Sequence, residues 1–141
     1  MPKSLPKTVV WDATTRCPLN CKFCFADRFG KKQAELSTQK AKRLISSLAK
    51  QGARVLVFSG GDPLCRTDLP VLLKFAKQKG LKAIVHTTGL APLRELEKIL
   101  PFVGRVNLPL DGGEKVHEEL RGRRGHFARV LETLRFLQEK K

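Results

Sequence analysis

Long hydrophobic runs are the first thing this chain lacks. No uninterrupted apolar stretch in its 141 residues approaches the ~20 that a helix needs to span a bilayer. The basic start, Met1-Pro2-Lys3-Ser4-Leu5-Pro6-Lys7, has no apolar core or small-residue cleavage site of a secretory signal behind it. A cytoplasmic protein with no membrane role is the expectation. Acidic residues are also few: 13 Asp and Glu stand against 28 Lys and Arg, a formal charge of +15. Such a balance first suggests a nucleic-acid partner. The distribution argues otherwise, because the basic residues are spread along the chain, mostly on polar positions of predicted helices. The densest group, Arg121-Gly122-Arg123-Arg124, is short and has no interleaved aromatics. A solvated basic surface is the favoured reading and a polyanion surface the alternative. Two asparagines and one methionine hint at a thermophile, a hint that glutamate does not reinforce. No internal repeat or low-complexity segment stands out.

Cysteine is sparse as well, at four residues, and the spacing is what matters. Cys17, Cys21 and Cys24 fall together in Arg16-Cys17-Pro18-Leu19-Asn20-Cys21-Lys22-Phe23-Cys24-Phe25, directly after a predicted strand. In a reducing compartment such a cluster reads as a metal site rather than a disulfide framework. Three thiols can converge on one inorganic centre, yet they stop one ligand short of closing it. An iron–sulfur cube normally takes four cysteines, so three leave one iron open to a ligand that reacts. Two plainer readings compete. A structural zinc site prefers separated pairs and four closed ligands, and its fourth ligand here would be Cys65 or His86. The other is three merely buried cysteines. Cys65 reads as a small packing residue, with an auxiliary ligand or reactive thiol as the alternative.

Strand and helix signals alternate four times. A β-rich run covers Thr8 to Ala13, and the cysteine loop follows it. Ser37 caps a helix with Ala41, Leu44, Ile45 and Leu48 at helical spacing, stopped at Gly52. Val55-Leu56-Val57-Phe58 is an unbroken apolar run, as in a strand buried on both faces of a parallel sheet. A second helix starts near Asp68 and closes at Gly80. A third strand, Ala83 to His86, precedes a helix whose first turn holds Pro92. The fourth strand runs from about Arg105 to Leu110, and a last helix carries Phe127, Val130, Leu131, Leu134 and Leu137 in steps of three and four. Four βα units with short links predict an α/β fold: a partial (β/α) barrel of parallel strands, with the active site at their C-terminal ends.

Cys17 to Cys24 resembles the cluster-binding signature of the radical S-adenosylmethionine (radical SAM) superfamily, down to the aromatic Phe23 before the third cysteine. Gly60-Gly61-Asp62-Pro63 resembles its GGEP-type motif, with Asp where Glu is common. The resemblance covers nearly the whole chain and is to the branch of molybdenum-cofactor and peptide-modifying enzymes. It implies a [4Fe-4S] cluster on Cys17, Cys21 and Cys24, whose open iron binds the amino and carboxylate groups of S-adenosylmethionine. An electron from a reductant such as ferredoxin or flavodoxin would then release methionine and a 5′-deoxyadenosyl radical that takes hydrogen from a substrate. The resemblance puts Phe23 beside the adenine and Gly60, Gly61, Asp62 and Pro63 at the methionine amino end, the glycines permitting close backbone approach. Thr88, in Thr87-Thr88-Gly89, and Asp111, in Asp111-Gly112, come near cofactor and substrate. Pro109 stands where a serine is commoner, so that serine's ribose contact is not carried over. Both glycine segments are also good turn chemistry, and Phe23 is also suited to packing on the sheet edge. His117, Arg121-Gly122 and His126-Phe127 echo a stretch of many members, with helix-surface or capping roles expected for the two histidines. No catalytic residue is assigned.

Residues 1–141 thus read as a radical SAM domain with four of the usual six βα units. A fourth strand left at the edge exposes unpaired backbone groups. A truncated gene product is the favoured explanation, with half of a split enzyme or an edge covered by a partner chain as the others. With no second cysteine cluster, no auxiliary iron–sulfur domain is expected in this chain. Two other functions stay open: a basic RNA-associated module with a structural metal site, and a cluster-binding fragment without turnover. Nothing in these motifs specifies a substrate.

Overall fold

The computed structural model describes residues 6–25 and 34–140. The first five residues of the basic start and Lys141 lie outside the described residues. Four strands, β1 (Thr8–Thr14), β2 (Val55–Gly60), β3 (Lys82–His86) and β4 (Arg105–Asn107), pair in parallel in the order β1-β2-β3-β4. Among the described residues five α-helices accompany them: α1 (Thr38–Lys50), α2 (Leu69–Gln78), α3 (Leu93–Ile99), α4 (Glu114–Arg121) and α5 (His126–Glu139). The sheet is unclosed, as a partial (β/α) barrel requires.

One face of the sheet carries the core. Leu56, Phe58 and Val85 on the strands meet Ile45, Leu72, Leu73, Ala76 and Ile99 on the helices, and all are fully buried. Each large aliphatic side chain removed from water here is worth about 2 kcal/mol. Local signals set the helix ends. Ser37 Oγ accepts from Lys40 N at 3.4 Å at the start of α1, and Asp68 precedes α2. Gly52 and Gly80, with φ of 93° and 76°, turn the chain out of those two helices.

The structure departs from the sequence expectations in its last third. β4 ends at Asn107 rather than near Leu110, because Pro109 has no N–H to continue a ladder. Pro92 lies just before α3 rather than inside it. The region read as leading into one final helix holds two, α4 and α5, separated at Gly122 and Gly125, whose φ values of 66° and 74° are left-handed. In α5 the buried positions are His126, Val130 and Thr133, and Leu134 is turned outward, 42% exposed.

Candidate functional site at the strand ends

The loops at the C-terminal ends of the strands form one surface, built around a buried carboxylate. Asp62, 1% exposed, follows β2. Its Oδ2 accepts from Thr87 Oγ1 at 3.0 Å, Thr88 N at 3.0 Å and Thr88 Oγ1 at 2.6 Å, and its Oδ1 accepts from Leu64 N at 3.0 Å. Asp62, Pro63 and Thr88, all predicted at the cofactor, are therefore buried, and the carboxylate ties the β2 end to the β3 end. The glycines before it also have an internal job. A Cβ on Gly60 would stand 2.3 Å from Thr14 O, and one on Gly61 2.2 Å from Arg16 O. The close approach they permit is to the chain's own backbone, where Gly61 N donates to Thr14 O at 2.7 Å and Asp62 N to Arg16 O at 2.8 Å. These two bonds seat the start of the cysteine loop on β2.

The three loop cysteines are free thiols, Cys17 exposed and Cys21 and Cys24 half-buried. Cys24 N donates to Cys21 O at 3.2 Å, curling the loop between them. Desolvation by the atoms packed round Cys17 pushes its thiol up to about 11, and desolvation also raises Cys21, against the pull of Arg121. Among the described residues no three Cys, His, Asp or Glu side chains are placed to hold a single metal ion. Three thiols on one short loop suit the donor chemistry of an iron–sulfur cube, in which each thiolate takes a different iron. Cys65 stands in the short turn Pro63–Cys65, with its thiol raised by burial and by Asp62. His86 sits on β3, its Nε2 2.8 Å from Asn107 Nδ2.

Both ends of the loop are clamped by residues that the sequence reading passed over. Arg66, 4% exposed, donates to Ala13 O at 2.8 Å, Leu36 O at 3.0 Å and both oxygens of Asp68. Glu35 takes both Thr14 Oγ1 and the Arg16 guanidinium, and the Arg16 bond chiefly holds its carboxyl below the usual range. Arg66–Asp68 apart, these partners lie 19 to 53 residues from one another and leave no local signal in a sequence. Between this clamp and the strand end lies a cavity of about 510 Å³, lined by Trp11, Asp12, Thr14, Cys24, Glu35 and Ser59 among others. Asp12 pairs in register with Ser59, and His86 with Asn107. With Phe58 and Val85 in the core, the alternation of strand side chains puts this polar row on the opposite, open face.

On the far side of the loop the predicted helix-surface histidines are buried. His117 and His126, both 0% exposed, stack with centroids 4.8 Å apart. Thr88 O can only accept, so His126 Nε2 carries the proton in that 2.8 Å bond. His126 Nδ1 then accepts from His117 Nε2 at 2.9 Å, and His117 Nδ1 accepts from Asp111 N at 3.3 Å. Burial lowers the pKa of His126. The Asp111 carboxylate is paired with Arg121 at 2.6 and 2.7 Å, a bond that holds it below its ordinary value. Arg121 lies over the ring of Phe23, 5.0 Å from its centroid. That pairing removes Arg121 from the basic group on which the RNA reading leaned, leaving Arg123 and Arg124 exposed.

The radical SAM superfamily pattern matches residues 11–141. The chain is 40% identical over 140 residues to an Fe-coproporphyrin III synthase of Methanosarcina barkeri, covering 97% of this chain and 35% of that protein. It is 31% identical over 137 residues to an AdoMet-dependent heme synthase of Oleidesulfovibrio alaskensis (94% and 35%). With a PqqA peptide cyclase of Rhodopseudomonas palustris it shares 34% over 142 residues (96% and 37%). Among solved structures it superposes on Streptococcus suis SuiB bound to its precursor peptide SuiA with a TM-score of 0.77, at 22% identity, over 96% of this chain and 31% of that one. For anSMEcpe with bound AdoMet the TM-score is 0.76 at 18% identity, over 94% and 40%. These likenesses support the partial-barrel fold. The chain spans about a third of the length of the curated relatives named here. It is a member of the radical SAM superfamily, whose cofactors are a [4Fe-4S] cluster and S-adenosylmethionine.

Proposed function

We propose that this chain holds a [4Fe-4S] cluster through Cys17, Cys21 and Cys24 and reductively cleaves S-adenosylmethionine. The observation that carries the reading is three free thiols on one loop, clamped at both ends and set at the C-terminal edge of a parallel sheet. When bound, the cluster and S-adenosylmethionine would supply radical chemistry for hydrogen abstraction from a substrate, one electron from a reductant being consumed and methionine released. The electron comes from a low-potential cytoplasmic donor of the ferredoxin or flavodoxin kind.

The chain's own residues divide the remaining work. Gly60 and Gly61 fix the start of the cysteine loop, and Asp62, Pro63 and Thr88 hold the turn beneath it. Phe23, 52% exposed on the loop, offers an aromatic face to the adenine. The cavity beside Cys24 and Gly60, at about 510 Å³, has the size of a small-molecule site. Asp12, Ser59, His86 and Asn107 offer hydrogen bonds to a substrate on the open face of the sheet. The relatives' names make a tetrapyrrole and a short peptide the substrates to try first.

The test is anaerobic. Reconstituted, dithionite-reduced chain given S-adenosylmethionine is expected to release 5′-deoxyadenosine, and Cys24→Ala to release none. An intact cluster that yields no 5′-deoxyadenosine would leave a cluster-binding fragment without turnover.

A further inference from the structure

Arg121 stands where three parts of the chain meet. Its Nε and Nη2 are both taken by the Asp111 carboxylate, a two-toothed pairing that fixes the plane of the guanidinium. The other edge is turned to the cysteine loop, with Nη1 3.9 Å from Cys21 Sγ. The loop is docked here through its backbone too. Lys22 N donates to Leu120 O at 3.0 Å, and a Cβ on Gly122 would lie 2.9 Å from Asn20 O.

Asp111 is itself held. Its backbone N–H donates to His117 Nδ1 at 3.3 Å, and the histidine pair leads on to Thr88 O and so to the buried Asp62. A continuous run of hydrogen bonds thus starts at the end of β2 and stops at a cation beside a cysteine sulfur. The length of this support is more than a surface ion pair needs.

Resting on the cluster reading above, we propose that Arg121 sets the reduction potential of the cluster by fixing a positive charge and an N–H beside the Cys21 sulfur. Reduction adds one negative charge, so a fixed cation favours the reduced form over the oxidised one, and hydrogen bonds to cluster sulfur act in the same direction. Asp111 sits on the opposite edge of the guanidinium, so the pair turns its positive end to the sulfur. Arginine suits the position because it stays charged and serves two partners from one rigid fork. Arg123 and Arg124 are exposed, where salt screens their effect.

The experiment compares the chain with R121Q, R121K and R124Q. Each is reconstituted anaerobically and titrated with dithionite and redox mediators, following the reduced cluster by electron paramagnetic resonance. R121Q is expected to lower the equilibrium constant for reduction about tenfold, about 59 mV for one electron. R121K, which keeps the charge but not the fork, is expected to lower it about threefold. R124Q removes the same unit of net charge from an exposed neighbour and is expected to match the unaltered chain. A midpoint in R121Q equal to that of the unaltered chain overturns the proposal, as does an equal shift in R124Q. Should R121Q assemble no cluster, R121K decides: the threefold loss supports the proposal and an unchanged midpoint overturns it. An unaltered chain that assembles no cluster overturns the cluster reading itself, a separate and visible result.

Discussion

Around Asp62 every acceptor is used, the carboxylate is shut away from water, and the ends of β2 and β3 are locked together. A short distance along the same edge, the cysteine loop is exposed or half-buried, with free thiols held by a clamp at its two ends and by α4 at its middle. One region uses its polar groups on itself, whereas the other leaves three cysteines as thiols. The contrast separates residues whose polar groups the fold consumes from thiols it leaves unbridged, although both lie in motifs of the same family.

The sharpest way to break the comparison is to alter the loop. Cys17→Ala, Cys21→Ala and Cys24→Ala are each expected to abolish cluster assembly, read as loss of the broad absorption of reconstituted protein. Their cluster-free forms should unfold in urea within about 0.5 kcal/mol of the unaltered chain. Asp62→Ala should do the reverse in kind. It strands the Thr87 and Thr88 hydroxyls and two backbone N–H groups, and urea unfolding should register a loss of about 4 kcal/mol. Gly61→Ala joins the two regions, since its methyl would meet Arg16 O. A loss of about 2 kcal/mol in stability, together with poorer cluster loading, is expected.

The smallest effect is one of pH. Burial chiefly depresses His126 below its ordinary 6.5, against the bond to Thr88 O. The folded chain thus keeps this ring neutral where the unfolded chain protonates it. Its contribution is present in full above 6.5 and is lost as pH falls toward the folded value. Glu35 and Asp111, held below 4.5 and 3.8 mainly by their arginine bonds, add losses only in stronger acid. Urea midpoints measured from pH 7.5 to 5.5 should fall, and His126→Gln should flatten that slope. An equal slope in the variant would assign it to another group.

Much of this edge was legible in the sequence because its signals are local. The cysteine spacing, the apolar run of β2 and the Gly-Gly-Asp-Pro turn each lie within a few residues, and the structure brings the two motifs together at the C-terminal side of the sheet with the β2 run buried behind them. The direction in which Asp62 faces was not legible, because the same four residues suit a ligand contact and an internal tie. Arg66 and Glu35 escaped for a different reason: Asp68 apart, their partners lie 19 to 53 residues away, and the partners of Arg121, 10 and 100 residues off, were equally out of local reach. α4 escaped because it buries a single side chain, His117, so no apolar periodicity announces it. The histidines misled in the same way. Their burial depends on stacking against each other across a left-handed break that only Gly122 and Gly125 hint at.

The central claim is an iron–sulfur cube held by three cysteines with one iron open to S-adenosylmethionine. The most direct measurement is the electron paramagnetic resonance spectrum of the reconstituted, reduced chain with and without S-adenosylmethionine, alongside its metal content. The account predicts about four irons per chain and a cluster signal that changes shape when S-adenosylmethionine is added. A colourless chain holding one zinc, or a cluster signal indifferent to S-adenosylmethionine, would contradict it.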